Sequence, residues 1–136
     1  MNRINSAFQE CDVEVIITSN IEGDYLLIKA SCIVNDLTDY NFLMNKFNEE
    51  IFKYDKRKVL LDMREVKYPV SPMLASESVS YVSKTFPDEI KLLKIAGVVS
   101  SSYKVIADFW EFQAIENGMD YKVFTSIEEA RNYMRY

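Results

Sequence analysis

Lys58-Val59-Leu60-Leu61-Asp62-Met63-Arg64-Glu65-Val66, followed closely by Tyr68-Pro69-Val70-Ser71-Pro72, is an apolar run that breaks off in opposite charges and a proline-punctuated turn. Val59, Leu60 and Leu61 do not alternate with polar residues, so both faces of this strand need cover. That is the condition of a central strand in an α/β sheet with helices on each side. Pro72 suits a first helical turn, where its missing N–H would have no partner anyway, and Ser71 stands immediately before it at the N-cap position. Strand, turn and helix start are thus predicted in succession.

Downstream, the spacing predicts a helix from Met73 to about Phe86, with Ala75, Val79, Val82 and Phe86 buried and Ser76, Ser78, Ser80 and Ser83 on its surface. Leu92–Val99 reads as a second doubly covered strand, in which Gly97 leaves room for the close approach of a helix. Ser100, Ser101 and Ser102 are caps for a third helix, Tyr103 to about Asn117, whose inward stripe is Val105, Ile106, Phe109 and Phe112, with Trp110 at its margin. Gly118 ends that helix. Asp120–Phe124 is the last strand, and Ser126 with Glu129, or Thr125 with Glu128, forms a capping box for a short helix carrying Ile127, Ala130, Tyr133 and Met134.

Upstream, a helix capped by Asp36 or Thr38 runs through Lys53 and turns Tyr40, Leu43, Met44, Phe47 and Ile51 to the core. Before it, Val13–Thr18 and Tyr25–Cys32 read as an antiparallel pair, joined through Asn20–Asp24 with Gly23 supplying a positive φ. The first strand alternates more than the second, which puts it at an edge. The order ββαβαβαβα predicts a mixed, mostly parallel five-stranded α/β sheet flanked by helices and joined by right-handed crossovers.

The 136 residues are expected to form one domain, 1–136, with its core at about 13–135. Cys11 and Cys32 are too few and too far apart for a disulfide framework or a zinc or redox pair, so both read as small hydrophobes. The chain has no His, which removes serine–histidine and cysteine–histidine mechanisms and the commonest metal ligand. With 16 Lys and Arg against 21 Asp and Glu, the net charge of −5 argues against nucleic acid and anionic lipid as partners. No apolar run approaches the roughly 20 residues of a membrane helix, and the first ten residues lack a signal-peptide core. The expectation is a cytoplasmic protein without membrane insertion and without a cofactor.

Several stretches together resemble the STAS-like superfamily, and especially its bacterial SpoIIAA-like branch, over about residues 13 to 135. They are Val59–Arg64, the turn Pro69–Pro72, the strand Ile95–Val99, Asn117-Gly118, and Val123 through Met134. The resemblance implies a STAS-like fold and a regulatory, protein-binding role. In the anti-sigma factor antagonists of that superfamily, an Asp-Ser-Ser-Gly motif opens the helix after the central strand, and one serine is phosphorylated to control binding to a partner kinase. The matching stretch here is Val70-Ser71-Pro72-Met73, which keeps Ser71 alone and lacks the usual target.

In an open α/β sheet, ligands bind beyond the carboxyl ends of the strands. Asp62, Arg64, Ser71, Ser100, Ser101 and Ser102 therefore form a candidate ligand or partner rim, with two helix N-termini to favour an anion. The competing account pairs Asp62 with Arg64 and leaves the serines as helix caps. No catalytic or metal constellation is found; adjacent acids such as Asp62 with Glu65, or Glu128 with Glu129, are ordinary solvated or helix-start charge. The sequence thus points to a non-enzymatic interaction module with a protein partner or small ligand, and homodimerisation among its arrangements. The alternative is a small-molecule or lipid carrier, suggested by nine Tyr and eight Phe. An apolar pocket of roughly 300 Å³ or more would mark the carrier, and a packed core with an exposed apolar patch the interaction module.

Overall fold

A computed structural model describes residues 14–136, so Cys11 and Val13 lie outside the described residues. Strand β1, Ile16–Glu22, pairs antiparallel with β2, Tyr25–Ile33. Their hairpin turns on two residues, Gly23 and Asp24, because Glu22 already faces Tyr25 across the ladder. Gly23 has φ 60° and Asp24 a negative φ, the pattern of a type II′ turn whose twist matches the flanking strands. A loop over Asn20–Asp24 is therefore corrected: β1 continues through Glu22.

Helix α1, Leu37–Lys53, starts on Asp36, whose side chain accepts from the Asp39 N–H at 2.9 Å. Its buried residues include the predicted stripe Tyr40, Leu43, Met44, Phe47 and Ile51. Strand β3, Lys58–Lys67, carries the opening run, and Val59 through Met63 are all buried. Helix α2, Pro72–Thr85, follows with Ser71 as its cap. Strand β4 is Lys94–Val98, shorter than predicted because residues 88–92 form a 3-10 turn that leaves Leu92 exposed. Helix α3, Lys104–Glu116, strand β5, Asp120–Phe124, and helix α4, Ile127–Met134, complete the chain.

The sheet order is β1-β2-β3-β4-β5, parallel except for β1, which is an edge. One face packs against α1, α2 and α3 in a core that includes Phe47, Leu61, Met63, Val82, Ala107 and Tyr121. Among the described residues, the other packs against α4 alone, through Leu60, Ala96, Val98, Ile127, Ala130 and Met134. That single helix covers β3 to β5 and leaves Ile16 and Ile33, on the β1–β2 part of the same face, each 58% exposed.

Four residues sit differently from their sequence expectation. Ser78 is fully buried rather than on the surface; it lies one turn before Tyr81, whose hydroxyl donates to Asn45 Oδ1 of α1 at 2.9 Å, so the small serine fills the seam where α2 meets α1. Val105 is 81% exposed and Phe112 is exposed as well, while α3 buries Ile106, Ala107 and Ala114. Alanines let α3 approach the sheet closely, and the large side chains turn outward. Gly97 is approached not by a helix but by the ring of Tyr121 from neighbouring β5: a Cβ there would collide with the Tyr121 hydroxyl and come within 3.0 Å of Met63 Cε.

Candidate functional site

The β3 end carries the first half of the predicted rim. Lys29 of β2 stands opposite Asp62 and Ser31 opposite Glu65, so β3 holds one extra residue, a bulge at Met63-Arg64. The bulge brings both acids beside Lys29, whose Nζ is 3.5 Å from Glu65. Asp62 is buried and lies on the face of Leu60, toward α4. Arg64 grips it bidentately: Nε donates to Oδ1 at 2.9 Å, Nη2 to Oδ2 at 2.8 Å, and the Arg64 backbone N–H to Oδ1 at 3.2 Å. Burial pushes the Asp62 carboxyl up, but the Arg64 hydrogen bonds and charge outweigh it and hold the group below the usual carboxylate range. Arg64 in turn feels Glu128 and Arg131 of α4.

The serines belong to the opposite helical layer. Ser71 Oγ accepts from the Leu74 N–H at 3.2 Å and so occupies one of the free amides of α2. Ser100, Ser101 and Ser102 do not cap α3 with their side chains, which corrects the sequence expectation. A 3-10 turn, Ser101–Tyr103, intervenes, and the Ser100 and Ser102 hydroxyls bond one another at 3.1 Å. Asp62 and Arg64 thus sit at the β3 end on the side of α4, while Ser71 and the Ser100–Ser102 turn stand at the entries to α2 and α3. Replacing Ser71 by Ala is expected to lower stability by about 1 kcal/mol, and by Asp to leave it within a few tenths, as measured by urea denaturation.

The β3 exit is held by an aromatic cluster that the sequence did not reveal, since only Tyr68 lies in the opening stretch. Tyr68 stacks on Tyr103 with ring centroids 4.7 Å apart and meets Tyr40 at 5.9 Å, tying β3 to α1 and to the start of α3. Burial raises the Tyr40 and Tyr68 hydroxyl pKa values well above normal, so both stay neutral. Beneath this cluster lies a cavity of about 40 Å³, lined by Tyr40, Phe47, Met63, Trp110 and Tyr121 among others. That holds a few waters at most and falls far below the roughly 300 Å³ of a ligand pocket.

A wider cleft of about 230 Å³ lies between the end of α1, the loop leading to β3 and the 3-10 turn at residues 88–92, with Phe52, Tyr54, Asp55, Arg57, Glu89 and Leu92 in its lining; it is away from the helix aromatics and below the roughly 300 Å³ of a ligand pocket. Met73, at the first turn of α2, is 70% exposed, and Val70 just before it is exposed too. On α3, Val105, Phe112 and Ile115 are exposed and Phe109 is half-buried. Ser76 Oγ donates to Gln113 Oε1 at 3.4 Å, which joins the two helices; Met73 lies one turn before Ser76 and Phe109 one turn before Gln113. Neither periodicity nor composition separated this outward stripe from a buried one. Among the described residues, no three Cys, Asp or Glu side chains gather as metal ligands, and no helix is long and apolar enough to cross a membrane. Burial raises the Cys32 thiol pKa to about 11, which leaves it unreactive.

Solved structures share this arrangement. An anti-sigma factor antagonist from Mycobacterium paratuberculosis superposes with a TM-score of 0.58 at 8% identity, covering 90% of this chain and 96% of that one. An uncharacterised protein of the DUF3478 family from Shewanella loihica PV-4, described as having a SpoIIAA-like fold, superposes with a TM-score of 0.54 at 16% identity, over 91% of this chain and 96% of that one. The fold is SpoIIAA-like. No protein-family model matches the sequence, and no curated protein matches it. In this SpoIIAA-like frame, Ser71 is the cap of the helix after the central strand, flanked by Val70 and Met73.

Proposed function

We propose that the chain is a cytoplasmic, non-enzymatic regulatory module that binds a protein partner through the start of α2 and the outer face of α3. The observation that carries this reading is the set of exposed apolar side chains Val70, Met73, Val105, Phe112 and Ile115, set beside a cavity among the helix aromatics of only about 40 Å³. Exposed large apolar side chains of this kind mark contact sites, where a few of them supply most of the binding energy. A structural neighbour that is an anti-sigma factor antagonist supports the regulatory assignment. The chain's lack of His supports the non-enzymatic one. In this proposal Ser71 orders the α2 turn that presents Val70 and Met73, and Asp62 with Arg64 shapes the β3 end from the other face.

The test is co-purification from the native host with tagged wild type, Met73→Asp and Phe112→Asp. The wild type is expected to retain a stoichiometric protein, and each variant to weaken binding by about thirtyfold or more, in line with hot-spot losses of about 2 kcal/mol or more, while far-UV circular dichroism stays unchanged. Equal recovery by all three would remove this surface from the proposal.

A further inference from the structure

The two edges of the sheet are treated differently. Edge strand β5 is five residues long and carries Asp120 and Lys122 at its exposed positions. The Val123 N–H donates to Glu111 Oε1 of α3 at 2.7 Å, so a side chain takes one of its amides. Charges, shortness and a capped amide are the ordinary protections of an edge.

Edge strand β1 is longer and carries a single charge. It spans seven residues, Ile16-Ile17-Thr18-Ser19-Asn20-Ile21-Glu22, without Lys, Arg, Pro or bulge. Its one charge, Glu22, is engaged by Arg131, with Nη2 to Oε2 at 3.1 Å, and by the Tyr25 hydroxyl at 2.6 Å. Ile16 is 58% and Ile21 45% exposed, and among the described residues β1 has a strand neighbour on one side only. A long, sparsely charged, β-branched edge is a template for another strand.

The strand also matches itself. Antiparallel pairing of two copies about Ser19 sets Ile17 against Ile21 of the second copy on the α1 side of the sheet. On the other side it sets Thr18 against Asn20 and Ile16 against Glu22, so within the strand no like charges face each other; Glu50 of α1, which accepts from the Ser19 hydroxyl at 2.6 Å near the axis, is neutralised by Lys53 at 2.8 Å. We propose that β1 pairs antiparallel with β1 of a second copy about a two-fold axis at Ser19, joining two sheets into one continuous sheet. This homodimer is formed independently of the α2 and α3 face and leaves that face free on both copies.

Cross-linking and sedimentation test it together. In a chain with Cys11→Ser, Ser19→Cys places two thiols directly opposite, where Cβ atoms about 4.5–5.5 Å apart come near disulfide range. Mild oxidation is expected to give a covalent dimer from Ser19→Cys and far less from Thr18→Cys, which would face Asn20 instead. Analytical ultracentrifugation from nanomolar to millimolar is expected to show a wild-type monomer–dimer equilibrium, shifted more than about tenfold toward monomer by Ile21→Lys. If Ile21→Lys fails to fold, the cross-linking contrast still decides. The proposal is overturned by a wild-type monomer throughout, by equal cross-linking at both positions, or by a dimer that Ile21→Lys leaves intact. A monomer whose β1 amides are protected from hydrogen exchange would assign the edge to residues 1–13 and overturn it equally.

Discussion

Gly97→Ala is expected to destabilise the chain by about 2–3 kcal/mol, a large effect for one methyl group. The new Cβ would collide with the Tyr121 hydroxyl and stand 3.0 Å from Met63 Cε and 3.2 Å from Tyr121 Cζ. Tyr121 cannot swing freely, because its ring is buried and packs edge-on against Trp110 at 5.1 Å. The adjoining cavity of about 40 Å³ lets it yield in part, which keeps the cost near the usual range for overpacking. The same geometry predicts rescue: Tyr121→Phe in the Gly97→Ala background deletes the colliding atom and should recover about 1 kcal/mol, while the Cζ contact keeps recovery incomplete. Urea midpoints for both single variants and the double variant measure the coupling. Costs that simply add, or a neutral Gly97→Ala, would show that the Tyr121 ring does not dictate glycine at this position.

The parts of the fold governed by neighbours in sequence were legible, and those governed by neighbours in space were not. Asp36, Ser71 and Ser126 each cap the helix they were expected to cap, since a cap joins a side chain to an amide three residues on. The doubly covered runs of β3 and β4 announced a parallel sheet, which is what forms. Helix α3 was rotated because Val105, Phe109 and Phe112 recur at steps of four and three, while Ile106, Trp110 and Ala114 recur at steps of four. Periodicity cannot choose between two such stripes, and the alanines that permit close approach to the sheet decide it. Tyr121 over Gly97 joins residues 24 positions apart and left no local signal. Asp62 and Arg64 were legible as residues of one rim; that β3 bulges there, and that Arg64 turns back onto Asp62, depends on the register with β2.

That pair carries the second large effect. Arg64→Ala is expected to cost about 2–3 kcal/mol at neutral pH, because it leaves the Asp62 carboxylate buried with its guanidinium partner gone. The cost falls below the roughly 3–5 kcal/mol of a fully buried pair, since 43% of the Arg64 side chain is exposed and water can reach the vacated space. The pH dependence has a definite sign. In the wild type the folded-state pKa of Asp62 lies below its unfolded value, so its stabilisation is full above about pH 4 and is lost as pH falls through the folded value. In Arg64→Ala the guanidinium is gone and only the backbone N–H of residue 64 and Lys29 still oppose burial, so the folded-state pKa of Asp62 rises relative to the wild type and acidification costs the variant less. The gap between the two proteins should therefore be widest at neutral pH and narrow on approach to pH 4, which urea denaturation across that range measures. Asp62→Asn combined with Arg64→Ala should cost less than Arg64→Ala alone, because the buried charge has gone with its partner. A gap that stays constant with pH would mean that Arg64 contributes through packing of its aliphatic stem, and the ion pair would then be incidental to the β3 end.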